Sequence, residues 1–460
     1  MSNTYDVIIV GAGPAGIFAS LEICRNSDLT VLLLEKGREV QKRKCRINTK
    51  HPSCAECQPC SIMSGWGGAG AFSDGKLTLT TEFGGWLDSY IGKEHLSHLI
   101  NYVDELYVDF GAPDRIFGQV NEDIVDLQLR VARAGLKLIP ARIRHMGTEN
   151  TLHVLKNMHK ELSRRVTIHT GEEVEKILVE KGRVSGVVTK RASYSAPCVI
   201  LAPGRDGAQW FSQQARDIGL ELRNNQVDLG VRVEVPAVTM EHFTDKIWEP
   251  KIIFNSPTFD DLVRTFCVSP NGHVVMENTN GLITVNGHSY ANQPSHNTNF
   301  ALLLSQEFTE PFHQPILYGR SIASLANMLS GSIIIQRYGD LKRGRRSTPD
   351  RISRGMVEPT LKAAVPGDLS LVLPNRYMVG ILECLEALDR AMPGLACDHT
   401  LLYGIEVKFY SARPHLDKQL RTRIHGLWAI GDGAGVTRGL IQASVSGVVA
   451  ARSILHNQTK

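Results

Sequence analysis

Cys54, Cys57 and Cys60 form a CxxCxxC run, and Cys45 lies nine residues upstream of the first of them. Thiolates at that spacing can turn onto one centre, and a fourth from nearby completes a tetrahedral set. Ligand runs for four-iron, four-sulfur ([4Fe–4S]) clusters begin this way, although the usual fourth cysteine followed by proline is missing. Structural zinc, a thiol–disulfide couple and unligated thiols are the other chemistries open to this group. Five residues after Cys60 begins a glycine-rich stretch, Gly65–Lys76, which reads GWGGAGAFSDGK. Asp74 and Lys76 within it, and Arg438 near the C-terminus, are the expected catalytic residues, as proton donors, acceptors or fixed charges. Arg232, Lys408 and Arg413 lie on or beside expected strands, where a cation either grips a carboxylate or phosphate or is simply exposed. His288, in NGHSY, reads as an acid/base or a solvated turn histidine. The basic run Lys342, Arg343, Arg345, Arg346, Arg351 and Arg354 lacks interleaved aromatics and reads as a solvated loop. Cys24, Cys198, Cys267, Cys384 and Cys397 sit among apolar residues and read as core.

The elements that must position these groups start at Tyr5–Glu35, YDVIIVGAGPAGIFASLEICRNSDLTVLLLE. A buried strand, Val7–Val10, runs into a glycine turn, an amphipathic helix and a second apolar strand, Val31–Leu34. That order suits a dinucleotide. Gly11 permits the tight turn, Gly13 lets a pyrophosphate approach the backbone, and Gly16 lets the helix pack closely on the sheet. The helix N-terminus, with Pro14 and Ala15 in its first turn, faces the phosphates. Glu35, 24 residues after Gly11 and followed by Lys36, can accept from a ribose 2′-OH and would repel a 2′-phosphate.

Residues Val166–Leu201 read as a β-meander of VTIHT, EVEKILVE, RVSGVVTKR and APCVILAPG, with turns at Glu180–Gly182 and Ser193–Ala196. The last strand ends in Ala202-Pro203-Gly204. Near the C-terminus a strand, Leu427–Ile430, leads through Gly431-Asp432-Gly433 into a closing helix. The fold class is therefore α/β, with these separated pieces assembling one open parallel sheet. A Rossmann-like FAD-binding domain is expected over 1–223 and 415–460, including the cysteine loop 45–60 and the meander 166–201. Between them, 224–414 should form an α+β substrate domain with strands Val227–Val235, Leu282–Asn286 and Ile333–Gln336 and a helix near Tyr377–Ala391.

The choice of FAD over NAD rests on the C-terminal element. An acid in a turn before a helix lies beside a ribityl chain, and the helix N-terminus lies where negative charge develops on a reduced flavin. The glycines of Gly65–Lys76 argue for backbone lying close to something flat or anionic. Neither a second GxGxxG nor a CxxxxC pair follows, against a disulfide-reductase type with its own NAD(P)H domain.

This arrangement resembles the glutathione-reductase-like FAD/NAD(P)-binding superfamily. The blocks GWGGAGAFSDGKL, LAPGRDGAQW, VDLGVRVEVP, GIEVKFYSARP and GDGAGVTRGLIQASVSG are similar to a poorly characterised family of bacterial and archaeal FAD-dependent dehydrogenases. The resemblance implies that Asp432 contacts the ribityl group, backbone at Val174 contacts adenine, and Pro203 and Gly204 close over the cofactor. It extends the cofactor set to Gly68, Gly70, Ala71, Phe72 and Ser73, and to Gly431, Gly433, Gly439 and Leu440. Pro203 departs from the commoner Ala-Thr-Gly form of its turn. Some members carry a similar cysteine group before the glycine-rich loop. The Arg205-Asp206-Gly207 triplet weakly resembles the Asp-Gly motif of flavin hydroxylases.

With 460 residues, 42% hydrophobic and a net charge of +4, the chain is an ordinary globular protein with room for two or three domains. A strand so close to Met1 leaves no signal peptide, and no apolar run is long enough to span a bilayer, so the expected location is cytoplasmic. The expected function is an FAD-dependent oxidoreductase moving hydride or electrons between a small organic substrate and a carrier such as ferredoxin or NAD(P)H. Saturation of a carbon–carbon double bond, or its reverse, is the preferred reaction. The rivals are a flavin monooxygenase and a non-catalytic flavoprotein binding RNA or protein. Neither a membrane nor a nucleic acid is expected as a partner.

Overall fold

The structure is a computed structural model that describes residues 3–45, 57–73, 75–279, 281–289, 293–306, 308, 312 and 314–458. The chain divides into two units: Met1–Ile116 with Ile143–Asn225 and Ser411–Lys460, and Phe117–Arg142 with Gln226–Tyr410. The sequence reading kept 117–142 with the first unit. In the structure they fall in the second, because strand Lys137–Ile139 pairs with Lys251–Asn255. Among the described residues no helix is long and apolar enough to cross a membrane.

The first unit is built on five parallel strands in the order Leu427–Ala429, Cys198–Leu201, Val7–Val10, Val31–Glu35 and Val166–Thr170. Val7–Val10 and Val31–Leu34 are apolar at every position and fully buried, as strands covered on both faces must be. Helix Pro14–Asn26 follows the first strand and packs against the closing helix Leu440–Gln458. That approach is close: a Cβ on Gly447 would fall 2.1 Å from the Ala15 carbonyl oxygen.

The meander, expected as three or four strands, differs in its membership. Of the four segments read for it, Val166–Thr170 and Cys198–Leu201 belong to the parallel sheet. The antiparallel sheet consists of Val174–Glu180, Arg183–Thr189 and Ser193–Ser195. Ser193–Ser195 was expected as a turn because its serines are turn formers. Tyr194 decides otherwise: it is buried, and its hydroxyl donates to the buried Glu172 at 2.9 Å.

The second unit carries an eight-stranded sheet. Its order is Val365–Pro366, Ile334–Arg337, Leu401–Lys408, Val227–Pro236, Asn297–Gln306, Leu262–Ser269, Lys251–Asn255 and Lys137–Ile139. The strand VDLGVRVEVP alternates, with Val227, Leu229, Val231, Val233 and Val235 on one face and Asp228, Arg232 and Glu234 on the other. Helix Asn375–Ala391 covers the apolar side, where Gly380 lets it approach Leu304 and Val263. On the polar side, Gly287 of the His273–His288 hairpin lies against Arg232 and Asn299.

Candidate cofactor-binding site

In the first unit, the turns that follow the parallel strands converge on one cavity of about 290 Å³. Val10 and Gly11, Leu34 and Glu35, Ala202 and Pro203, and Gly431 and Asp432 all line it, each just beyond or at the end of its strand. Crevices at these carboxyl ends are where open parallel sheets bind ligands.

Glycines do separate jobs there. Gly11, at φ +108°, sits so close to the next strand that a Cβ would lie 2.1 Å from the Ala202 oxygen. A Cβ on Gly16 would lie 1.9 Å from the Gly11 oxygen, so Gly16 sets the helix-to-turn packing and does not itself line the cavity. Gly13, Gly204 and Gly439 do line it. Cβ atoms at Gly204 and Gly439 would meet nothing within 4 Å, and one at Gly13 only Gly68 Cα at 4.0 Å. These three present bare backbone to the space. The helix that starts at Pro14 has neither a side-chain cap nor an acid in its first turn, so an anion is the natural partner for its first amides.

The second glycine-rich stretch lies on the first. A Cβ on Gly68 would come 3.1 Å from Gly13 Cα, and Gly67 N–H donates to the Ala12 oxygen at 2.8 Å. Gly68, Gly70, Ser73 and Lys76 line the cavity. Ala71 is buried beneath it, and Phe72 stacks under the Arg43 guanidinium at 4.8 Å. Val174, Leu440, Pro14, Ala15 and Lys36 complete the expected lining. Gly433 stands behind it, where a Cβ would lie 2.1 Å from the Gly204 oxygen.

Glu35 does more than the sequence implied. Its carboxylate accepts from Ala12 N–H at one oxygen and from Gly37 and Gly65 N–H at the other, each at 2.8 Å. A carboxylate offers about four lone-pair positions, so roughly one remains for a ribose hydroxyl. Lys36 is tied to Asp206 at 2.8 Å. Burial alone would raise Asp206, but hydrogen bonds from Lys36 and Ser64 outweigh it and hold the carboxyl below its usual range. Burial pushes Asp432 up, against the pull of Arg205, Thr437, the Gly439 amide and Arg438.

Several residues had escaped the sequence reading. Arg43 is buried and donates to the Ser61, Ile62 and Trp66 carbonyls, folding the segment between the cysteines and the glycine loop. Burial lowers its pKa to about 10. Glu172, at the cavity wall, accepts from Thr189 and Tyr194, and burial plus that bond push Tyr194 up to about 12. No spacing rule flags either residue. Arg205, Gly207 and Trp210 also line the wall; the sequence reading quoted them only within the block LAPGRDGAQW and, for the first two, the weak Asp-Gly triplet.

Of the expected catalytic residues, Lys76 lines the cavity, and Asp74 lies outside the described residues. Arg438 stands beside the lining residue Gly439, over the Trp86 ring at 4.4 Å. Cys54 also lies outside the described residues; Cys45 is exposed, and Cys57 and Cys60 are half-buried. Among the described residues no three His, Cys, Asp or Glu side chains gather as a metal set. In the second unit Arg232 is no ligand grip: its five hydrogen bonds go to Glu406 twice, Cys267, Asn299 and Asn286. Lys408 pairs with Glu406 at 3.0 Å. His288 ends a strand opposite His273 and is not in a turn. The basic run is drawn into ion pairs, Lys342 with Glu386, Arg343 with Asp398, Arg345 with Asp340 and Arg354 with Asp350.

Residues 227–409 match a family model described as "FAD-dependent protein, C-terminal domain-like". An uncharacterised Clostridium beijerinckii protein is 26% identical over 471 residues, covering 97% of this chain and 80% of its own. Among solved structures, an E. coli quinol fumarate reductase aligns at 16% identity and TM-score 0.43, over 99% of this chain and 71% of its own. Glycine oxidase from Geobacillus kaustophilus aligns at 13% and 0.41, over 98% and 95% of the two chains. The family match falls within the second unit, whereas the cavity belongs to the first.

Proposed function

We propose that this chain is an FAD-dependent oxidoreductase whose cofactor occupies the cavity at the strand ends of the first unit. The observation that carries the reading is the convergence there of both glycine-rich stretches, the Ala202–Gly204 turn and the Gly431–Asp432 turn. The family match over the second unit supports it independently.

Once bound, FAD supplies hydride or electron exchange with a carbon of a small organic substrate. The protein's own residues do the placing. The amides at the start of the Pro14 helix and the bare backbone of Gly13 receive the pyrophosphate, while Glu35 bolts the turn that carries them. Val174 flanks the adenine, Pro203 and Gly204 close over the cofactor, and Asp432 receives the ribityl hydroxyls. Lys76 holds a proton or a positive charge at the cavity wall. The substrate class favoured is a compound with a reducible carbon–carbon bond, with ferredoxin or NAD(P)H as the carrier.

Gly13→Asp tests the placement. It should fold with an unchanged urea midpoint yet bind FAD roughly tenfold more weakly or worse, because a carboxylate takes the phosphate position. Full flavin retention by this variant would contradict the reading. The cysteine group carries a separate proposal. If Cys45, Cys54, Cys57 and Cys60 hold a [4Fe–4S] cluster, anaerobic protein contains about four iron and four sulfide per chain. One zinc, or no metal, ends that idea.

A further inference from the structure

Asp206 ties together three stretches of the first unit that are remote in sequence. Lys36, one residue past the strand Val31–Glu35, pairs with its carboxylate at 2.8 Å. Ser64 Oγ donates to the same oxygen, Oδ2. The third stretch is the short helix Arg205–Gly207 that carries Asp206 itself. Lys36, Ser64, Arg205 and Gly207 all line the cavity, so one carboxylate fastens several parts of its wall to each other.

That wall stands at one end of the site. Glu172 N–H donates to the Glu35 carbonyl oxygen at 2.9 Å, and Gly65 N–H to the Glu35 carboxylate at 2.8 Å. Trp210, also in the lining, is anchored by its indole N–H on the Glu175 carbonyl at 3.2 Å, next in sequence to Val174. On the FAD reading above, Glu35 and Val174 mark the adenosine half of the cofactor.

Ser64 is held from behind as well. It is buried, and its N–H donates to the Cys60 oxygen at 2.9 Å, while Arg43 binds the carbonyls of Ser61, Ile62 and Trp66. The wall is therefore in place before a ligand arrives, which spares the ligand the entropy of ordering it. The Lys36–Asp206 pair is part-exposed, at 23% and 33%, and is weak alone. The Ser64 hydroxyl bond to a carboxylate is charge-assisted and is the stronger half of the latch.

We propose that Asp206 is the positioning residue for the adenosine half of the cofactor, holding closed through Lys36 and Ser64 the wall against which an ADP-like group rests. This deepens the FAD reading and rests on it. It gives Lys36 the part of a latch, with no direct grip on a phosphate.

The test uses protein stripped of flavin that regains FAD on reconstitution. Dissociation constants are read for FAD by flavin fluorescence and for ADP by calorimetry. ADP should bind the wild type saturably at up to millimolar concentration. Asp206→Asn and Ser64→Ala should each weaken ADP by about tenfold, and FAD by about the same factor, with the far-UV circular dichroism of the wild type. Lys36→Met should weaken both by about threefold. Ser64→Thr and Lys36→Arg keep the contacts and should recover most of the affinity. Tighter ADP binding in Asp206→Asn would overturn the proposal, because Lys36, once released, would then be gripping the phosphate itself. Unchanged ADP affinity in Asp206→Asn, loss of FAD affinity with ADP untouched, or a wild type that takes up FAD but no ADP would overturn it too. A wild type that takes up no FAD would instead strike the cofactor reading.

Discussion

Glu35 carries three backbone amides on one buried carboxylate and so joins the first glycine turn, its own strand end and the Gly65 loop. Glu35→Gln replaces one acceptor oxygen with a donor that faces an N–H. It should lower unfolding stability by about 2–3 kcal/mol in urea titrations and weaken FAD retention with it. A change within about 0.5 kcal/mol would show that these bonds are not needed. The position of this acid was legible from its distance to Gly11; its hydrogen-bond load was not, because Gly65 is remote in sequence. Asp206 gives the pH dependence. Its folded pKa lies below the usual 3.8, so its stabilisation is present above that value and is lost as pH falls through the folded value. Asp206→Asn should therefore be less stable than wild type near neutral pH, and the difference should shrink under acid. A constant difference in urea midpoint would refute the assignment to Lys36 and Ser64.

At the scale of elements, two glycines of the C-terminal turn separate packing from conformation. A Cβ on Gly433 would lie 2.1 Å from the Gly204 oxygen, whereas one on Gly439 would meet nothing within 4 Å but must sit at φ +87°. Gly433→Ala should expel cofactor and lower the thermal midpoint strongly. Gly439→Ala should cost only about 1–2 kcal/mol of stability, with a smaller fall in the thermal midpoint. Equal effects would mean that the two turns do not close on each other. The strands and turns around the cavity were legible because apolar runs and glycine spacing are local signals. The Ser193–Ser195 strand was not, since only Tyr194's burial against Glu172 makes it one. In the second unit Val227–Val235 was legible as a strand, but not that its alternation would place Arg232 on a polar face where five hydrogen bonds occupy it.

For the whole molecule, the sequence reading expected a first domain made of two stretches of chain with a second domain's residues between them, and the chain divides into two units. It missed the transfer of 117–142, because a three-residue strand such as Lys137–Ile139 has no pattern of its own. The cysteine spacing remains a statement about chemistry that the thiols could do. Its metal test stands apart from the flavin. The central claim is that one dinucleotide flavin fills the cavity shared by Gly13, Gly204 and Asp432. The most direct measurement is the flavin released by heat or acid from freshly purified protein, identified by chromatography and counted against chains. About one FAD per chain, or uptake to that level when apoprotein is offered FAD, is the predicted result. Colourless protein that stays colourless with excess FAD would contradict it.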